Sequence, residues 1–598
     1  MVNFEQNIAL NAERWFADGK DNTLLRSTNK ENQLLDISYA QVRKAVLAWA
    51  DYLHSQGVQE GDRVAMISPK CRYHHVFFYA CWHLGVIAVP ICESLGEAEM
   101  GFIIQDAEPK LVLADGAFEK KATACAGDIP VVLLDTLPAP EDATAPDNPP
   151  KATAFSSDAI AVLIYTSGST GMPKGVMLSH KALMVNAQGA LDLFSVSQKD
   201  CLISLLPYWH AYALTCEVLC IVMVGATCAV PKDIRDFRKN LVNYQPTIMI
   251  AVPRIVEMLK LAIDKQIASL PPKRKALVER AIYNASRIFT ASARFNGGLL
   301  RILMHHIFYN PLVFKKFRAA LGNKLRFIVC GGAPMDLELQ VFFKFIGIPC
   351  LVGYGLTETS PIVSANTMQV HKLDSCGQLF PWLKPENGGD FTFKDEEGNL
   401  GKDLHGQLLV KGDCVMKGYW RHTDASAKTF ENGWLDTGDM GYFDKDGFLH
   451  IAGRKGNMIV TIGGEKLHPE FVEDAIRLSP FISEVMVIGE KCKNIYALVN
   501  INKEEAEGMT PEQIQEKAHQ VVLDCTKGLA ALQKPKACLV LPDFTQEDGT
   551  LTATLKIRRF KIREKYKEQI EQFLVANGEE IATRHEVGIA HSRIQESL

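Results

Sequence analysis

Short apolar runs bounded by turns, each set beside a helix-like stretch, constrain this chain more than any other feature. Residues 159–165 (AIAVLIY), 247–252 (TIMIAV) and 325–329 (LRFIV) are almost wholly apolar, so a strand built from any of them must be covered on both faces. Helices supply that cover in a parallel sheet, and the alternation predicts an α/β architecture with two mostly parallel, doubly covered sheets. After about residue 380 the texture changes to Gly-punctuated short strands (GQLLVKG, GYFDKDG, GFLHIAG), the pattern of a small antiparallel unit. From about Lys455, strands such as 485–488 alternate with charged helices, which predicts a separate small α+β domain. Residues 138–151 (PAPEDATAPDNPPK) are rich in Pro, Ala and Asp and read as a surface linker between two α/β blocks. The expected organisation is a large N-terminal domain of several subdomains over 1–454, with a helical insertion near 260–321. A small C-terminal domain over 455–577 and a frayed polar tail over 578–598 follow.

Composition excludes several alternatives. The 598 residues allow roughly three to five domain-sized units, and 47% hydrophobic with 22% charged residues can bury large cores, unlike a collagen, a coiled coil or a disordered tail. With 65 Lys+Arg against 69 Asp+Glu the net charge is −4, too even for a broad nucleic-acid footprint, which needs a strongly basic face. The 15 cysteines form no CxxC pair and no zinc-like spacing, and read as reduced core residues of a cytoplasmic protein. The first residues, with Glu5 and Glu13, lack the basic-then-apolar order of a secretory signal. The most apolar stretch, 201–230, contains Pro207, His210 and Glu217 and reads as buried core, not as a lipid-spanning helix.

Chemistry concentrates in residues 165–180, YTSGSTGMPKGVMLSH, directly after an apolar strand. Gly168, Gly171 and Gly175 let the backbone approach a ligand closely and take positive φ, while Thr166, Ser167, Ser169 and Thr170 offer hydroxyls and Lys174 a point charge. Such a loop can wrap phosphate oxygens. It is not a Walker A loop, which requires GK[ST], because Gly175 follows Lys174. Residues 294–318 hold five Lys/Arg, no Asp/Glu and many large apolar side chains. Two readings stay open there: docking on an anionic membrane, or an amphipathic insertion packed on the body with its charges in water. His305 and His306 lack partners at metal-binding spacing and read as structural.

Further motifs follow in order: Gly331-Gly332-Ala333-Pro334, Gly353-Tyr354-Gly355-Leu356-Thr357-Glu358-Thr359, Trp434-Leu435-Asp436-Thr437-Gly438-Asp439, Gly453-Arg454-Lys455-Gly456 and Gly463-Gly464-Glu465-Lys466. With the loop above and a block at 37–66, they resemble the adenylate-forming superfamily of acyl-CoA synthetases, luciferases and peptide-synthetase adenylation domains, over roughly residues 35–565. Residues 246–259, the helix-rich insertion after them, and 544–559 (FTQEDGTLTATLKIRR) look closest to long-chain fatty acyl activators.

The resemblance implies a role for each motif. Thr166, Ser167, Gly168, Ser169, Thr170, Gly171 and Lys174 would hold the phosphates of ATP, and Glu358 with Thr166 would hold Mg2+, a hard-ligand task suited to oxygen donors. Gly332, Ala333, Pro334, Tyr354 and Gly355 would form the adenine slot, where a flat ring needs small residues and one stacking aromatic, and Thr357 would also bind the nucleotide. Asp439 and Arg454 would hold the ribose, and Trp209 and His210 would border the acyl pocket. Lys556 is the main catalytic candidate, with Lys174, Thr357 and Glu358 beside it; a cation bridging carboxylate and α-phosphate stabilises the in-line transition state. The sequence departs here from the simplest family pattern, which has Gly before the lysine, and shows Thr554-Leu555-Lys556, with Lys561 as a nearby decoy. Lys455 falls at the hinge about which a mobile C-terminal domain swings, and Gly463 and Gly464 would then admit a pantetheine arm.

The implied activity is ATP-dependent activation of a long-chain fatty acid to acyl-AMP, followed by transfer to the thiol of CoA. Acyl carrier protein is the rival acceptor, since it carries the same arm, and peripheral membrane contact and chain length stay open. A reading from another class, a non-catalytic nucleotide-binding sensor or scaffold, leaves unexplained why Lys174, Glu358, Asp439 and Lys556 occur together.

Overall fold

Each of the three apolar runs becomes a strand. The computed structural model describes residues 2–29, 31, 33–166, 172–290, 302, 304–552 and 556–579, and in it the runs form Ile160–Thr166, Ile248–Ala251 and Phe327–Cys330. The first belongs to a six-stranded sheet ordered Val131–Leu133, Leu111–Ala114, Arg63–Ile67, Ile87–Ile91, Ile160–Thr166, Lys174–Ser179, parallel except for its last hairpin. The other two are parallel neighbours in a nine-stranded sheet, with Ile248 opposite Phe327. The parallel part of that sheet runs from Cys350–Gly355 to Thr23–Thr28, and antiparallel strands close both edges. A third, antiparallel sheet of six strands occupies residues 390–454, where the Gly-punctuated texture begins. One core joins all three: Trp49, Trp82 and Phe77 pack in the same cluster as Leu408, Val410 and Leu435.

Beyond residue 455 the chain builds cores of its own. The strands Ile482–Ile488, Tyr496–Ile501 and Cys538–Val540 form a sheet buried on both faces. Side chains alternate along it, so Val485 and Val487 pack with Val472, Ile476 and Val522, while Met486 and Ile488 pack with Ile562 and Tyr566.

Two details differ from the sequence reading. Residues 138–151 connect Val131–Leu133 to Ile160–Thr166, strands of the same sheet, and not two blocks. They are also tied down: Trp49 Nε1 donates to the Pro138 carbonyl at 3.0 Å, Arg72 pairs with Glu141 at 2.7 Å, and His83 Nε2 meets the Pro150 carbonyl at 2.8 Å. Prolines leave carbonyl acceptors free in an extended segment, and the body supplies the donors. Glu579, expected in the frayed tail, is instead held by Tyr496 Oη and Lys493 N, each at 2.7 Å; residues 580–598 lie outside the described residues.

The insertion is helical over Pro253–Ala268, Pro272–Thr290, His305–Phe314 and Lys315–Ala320. Leu259, Ile263, Val278 and Phe314 pack on Phe342 and Phe345 beside the nine-stranded sheet. Of the basic apolar stretch, residues 294–301 and 303 lie outside the described residues; within the rest, Ile307, Phe308 and Leu312 are 62%, 54% and 53% exposed. Among the described residues no helix is long and apolar enough to cross a membrane.

Candidate active site

The hairpin that carries the glycine- and hydroxyl-rich loop opens at one end of the candidate site. Thr166 and Lys174 face each other across the antiparallel pair Ile160–Thr166 and Lys174–Ser179, so a hydroxyl and an ammonium flank the mouth of the loop. Ser167, Gly168, Ser169, Thr170 and Gly171 lie outside the described residues. Lys174 Nζ stands 5.2 Å over the ring of Tyr419, whose Oη donates to Glu358 Oε1 at 2.9 Å. One tyrosine therefore carries the cation on its face and the carboxylate on its edge. Burial and the neighbouring Glu358 charge hold the Tyr419 hydroxyl well above its ordinary range, so it stays a donor.

Glu358 sits in a tight turn, Thr357–Thr359, after the strand Cys350–Gly355. Thr359 Oγ1 donates to the Pro361 carbonyl at 2.6 Å, and Asn186 Nδ2 holds the Thr359 and Ile362 carbonyls at 3.2 and 3.0 Å. Only glycine fits at 355, because a Cβ there would stand 2.0 Å from the Pro361 carbonyl oxygen. Gly332, Ala333 and Pro334 are exposed just past Phe327–Cys330, the parallel neighbour of Cys350–Gly355. They share with Tyr354 and Gly355 the carboxyl ends of adjacent parallel strands, the usual position for ligand sites in such sheets.

A second group forms around Asp439. It lies on the strand Trp434–Phe443 opposite Arg454 of Leu449–Arg454. Tyr354 Oη donates to Asp439 Oδ2 at 2.6 Å, and Arg454 Nε to Oδ1 at 3.1 Å. The Asp439 side chain is 6% exposed, whereas Arg454 is 57% exposed. Burial raises the Asp439 carboxyl above its usual range, opposed by Arg454, Tyr354 and Lys556.

Lys556 reaches this group from the far end of the chain. Thr552 holds it: Thr552 N donates to the Lys556 carbonyl at 2.7 Å, and Lys556 N donates to Thr552 Oγ1 at 3.0 Å. Part of Lys556 stays open to solvent, yet the crowding of protein around the ammonium, reinforced by Arg454 and opposed by Asp439, pushes it from 10.5 down to about 8. His210 feels the same cation. Burial first, then Lys556, lowers its imidazole to about 3, so it is neutral; its buried Nε2 has no partner, and its ring lies 4.3 Å from that of Trp209.

Gly463 and Gly464 stay apart from these groups. They form the exposed tip of the hairpin Ile459–Val460 and Lys466–Leu467; a Cβ on Gly464 would meet nothing within 4 Å, and one on Gly463 only Thr461 and Glu465. Sequence reasoning does not single out Tyr419, one aromatic in the run KGYWR; the bridge between Val176 and Tyr419 brings it to the phosphate loop, and no local pattern announces that.

The AMP-binding enzyme family matches residues 13–420, and the AMP-binding enzyme C-terminal domain matches residues 456–577. The chain belongs to the AMP-binding enzyme family. Among the relatives of this AMP-binding enzyme, a long-chain-fatty-acid–CoA ligase of Mycobacterium bovis is 31% identical over 578 residues, covering 90% of this chain and 92% of the relative. A chloroplastic long-chain-fatty-acid–[acyl-carrier-protein] ligase of Arabidopsis thaliana is 32% identical over 463 residues, covering 70% of this chain and 62% of its own. Solved structures share the fold. The O-succinylbenzoate coenzyme A synthetase of Bacillus subtilis in complex with AMP has a TM-score of 0.68 at 23% identity, over 92% of this chain and 98% of that one. A Mycobacterium tuberculosis fatty acyl CoA synthetase has a TM-score of 0.63 at 24% identity, over 94% and 99%.

Proposed function

We propose that this AMP-binding enzyme is an ATP-dependent acid:thiol ligase that activates a long-chain fatty acid as acyl-AMP, with release of pyrophosphate, and passes the acyl group to the thiol of CoA. The observation that carries this reading is that the charge of Lys556, a lysine of the C-terminal unit, is felt by Asp439 and His210 of the N-terminal body and is itself shifted by Arg454 and Asp439. A fatty carboxylate is already anionic, so its attack on the α-phosphorus needs no base. It needs positive charge where negative charge gathers, and Lys556 and Lys174 are the cations that supply it. Neutral His210, its ring tilted against that of Trp209, borders the acid without adding a competing charge. Tyr354 and Arg454 pre-orient the Asp439 carboxylate for the ribose hydroxyls.

The donor set fits Mg2+. Glu358, steadied by Tyr419, and the Thr166 hydroxyl are hard oxygen ligands, and among the described residues no cluster of three or more His, Cys, Asp or Glu forms a cage. That suits an ion that keeps its waters and binds through one carboxylate and substrate phosphates. When bound, Mg2+ would neutralise charge on the phosphate oxygens.

For thiol transfer, the unit beyond Lys455 swings so that Gly463 and Gly464 replace Lys556 at the site. The separate cores of that unit and the exposed glycine hairpin support a rigid-body movement. The relative from Arabidopsis thaliana favours a second acceptor, acyl carrier protein, whose arm is the same. Exposed Ile307, Phe308 and Leu312, followed by exposed Lys315 and Lys316, support peripheral contact with an anionic membrane, from which such acids partition. Product identification decides among these: acids from acetate to oleate are offered with ATP, Mg2+ and either CoA or acyl carrier protein. Acyl-CoA rising with chain length is expected; acyl carrier protein as sole acceptor replaces CoA, and no thioester with either sinks the ligase reading.

A further inference from the structure

Arg558 lies two residues beyond Lys556 and leaves the C-terminal unit altogether. Its Nη1 meets Glu99 Oε1, on the first turn of the helix Glu97–Ala107 in the N-terminal body, at 2.5 Å. The Arg558 side chain is 7% exposed and that of Glu99 25%. Two other ion pairs join the same regions, Lys466 with Glu396 at 2.6 Å and Lys265 with Glu504 at 3.5 Å, but their side chains are 45% and 61%, and 77% and 81%, exposed. Exposed pairs hold little, because water competes for both charges and each side chain loses freedom in pairing. Arg558 with Glu99 is, of these three, the pair withdrawn from water.

We infer that the Arg558–Glu99 pair is a latch that holds the C-terminal unit in its adenylate-forming position and thereby positions Lys556, without touching substrate. The inference rests on the two-step reading above. Arg558 N donates to the Thr550 carbonyl at 2.8 Å, and Ile557 bridges to Leu551, so Arg558 and Lys556 lie two residues apart on a segment tied to residues 550–552, and a grip on the first positions the second. Glu99 in a first helical turn faces the positive end of the helix dipole and is favourably placed as an anion. The grip is built to release: the guanidinium meets Glu99 through Nη1, its buried Nε has no partner, and the contact lacks the two-pronged geometry of a permanent Arg–carboxylate clamp. When the unit swings away both groups return to water, so the pair biases the docked position alone and shifts the balance between the two positions.

The test uses the full chain carrying Glu99→Gln, Arg558→Gln or Arg558→Lys. Acid-dependent ATP–pyrophosphate exchange reads the first half-reaction, and conversion of supplied acyl-adenylate with CoA reads the second. The Gln variants are expected to lose about 10-fold in exchange while transfer stays within about 2-fold of the parent, with Arg558→Lys in between. Exchange unchanged in both Gln variants overturns the latch. So does an equal loss in both half-reactions, which marks a fold defect, or Arg558→Lys no better than Arg558→Gln, which removes the ionic role. Tryptic cutting after Arg454 or Lys455 gives a readout independent of activity, and it is expected to be about 3-fold faster in the Gln variants. A parent that shows no exchange but whose hinge is cut faster without the pair keeps the latch and sinks the ligase reading; equal cutting rates overturn the latch.

Discussion

Two loops of the C-terminal unit stand in opposite situations. Lys556 is tied to Thr552, Arg558 two residues on pairs with Glu99 of the N-terminal body, and the Lys556 ammonium feels the charges of Arg454 and Asp439. The hairpin tip that carries Gly463 and Gly464 is exposed, and Lys466 at its base reaches the N-terminal body through a solvent-exposed pair with Glu396. Both carry motifs of equal weight in the sequence, yet one position of the unit serves only one of them. On the two-step reading proposed above, the difference means that the site is shared in time, with the cationic turn serving acid activation and the glycine hairpin serving thiol transfer from the other position.

The sharpest way to break this comparison is Lys556→Ala. Exchange is expected to fall about 100-fold or more, while transfer from supplied acyl-adenylate stays within about 3-fold of the parent, as separate assays of the half-reactions will read. The pH profile sharpens it further. Lys556 carries its charge below about 8 and loses it as pH rises through that value, so kcat/KM for adenylation in the free enzyme is expected to drop about tenfold per unit above it. Transfer from supplied acyl-adenylate should lack that limb.

Gly464→Val should show the reverse asymmetry, because Gly464 holds φ +79°, a conformation that costs a branched side chain about 1–2 kcal/mol. Transfer falls about tenfold and exchange is unaffected, measured on the same protein preparation. The smallest effect is expected of Tyr419→Phe. Losing the hydroxyl that steadies Glu358 costs about 1 kcal/mol, a roughly fivefold loss of exchange with a higher Mg2+ requirement, read from a magnesium titration.

Much of this arrangement was legible before any coordinates. The apolar runs at 159–165, 247–252 and 325–329 announced buried parallel strands because a strand apolar on both faces has few other places to go. The loop at 165–180 stands out by its glycines, hydroxyls and lysine, while the motifs around Glu358, Asp439 and Arg454 are marked by their resemblance to the adenylate-forming superfamily. What stayed hidden arises between distant segments. Arg558 and Glu99 are 459 residues apart, and neither has a neighbour in sequence that hints at the other. Tyr419 reaches Lys174 and Glu358 through chain packing. Residues 138–151 have the composition of a linker, but composition does not say whether Trp49 and Arg72 will fasten it, nor that both of its ends enter one sheet.

The most direct test of the account is ATP–pyrophosphate exchange by the full-length protein with Mg2+ over a series of acids from acetate to oleate, run beside Lys556→Ala. Exchange that appears only with an acid, grows with chain length and collapses in the variant is the predicted result. Exchange absent with every acid, or present and indifferent to Lys556, would contradict it.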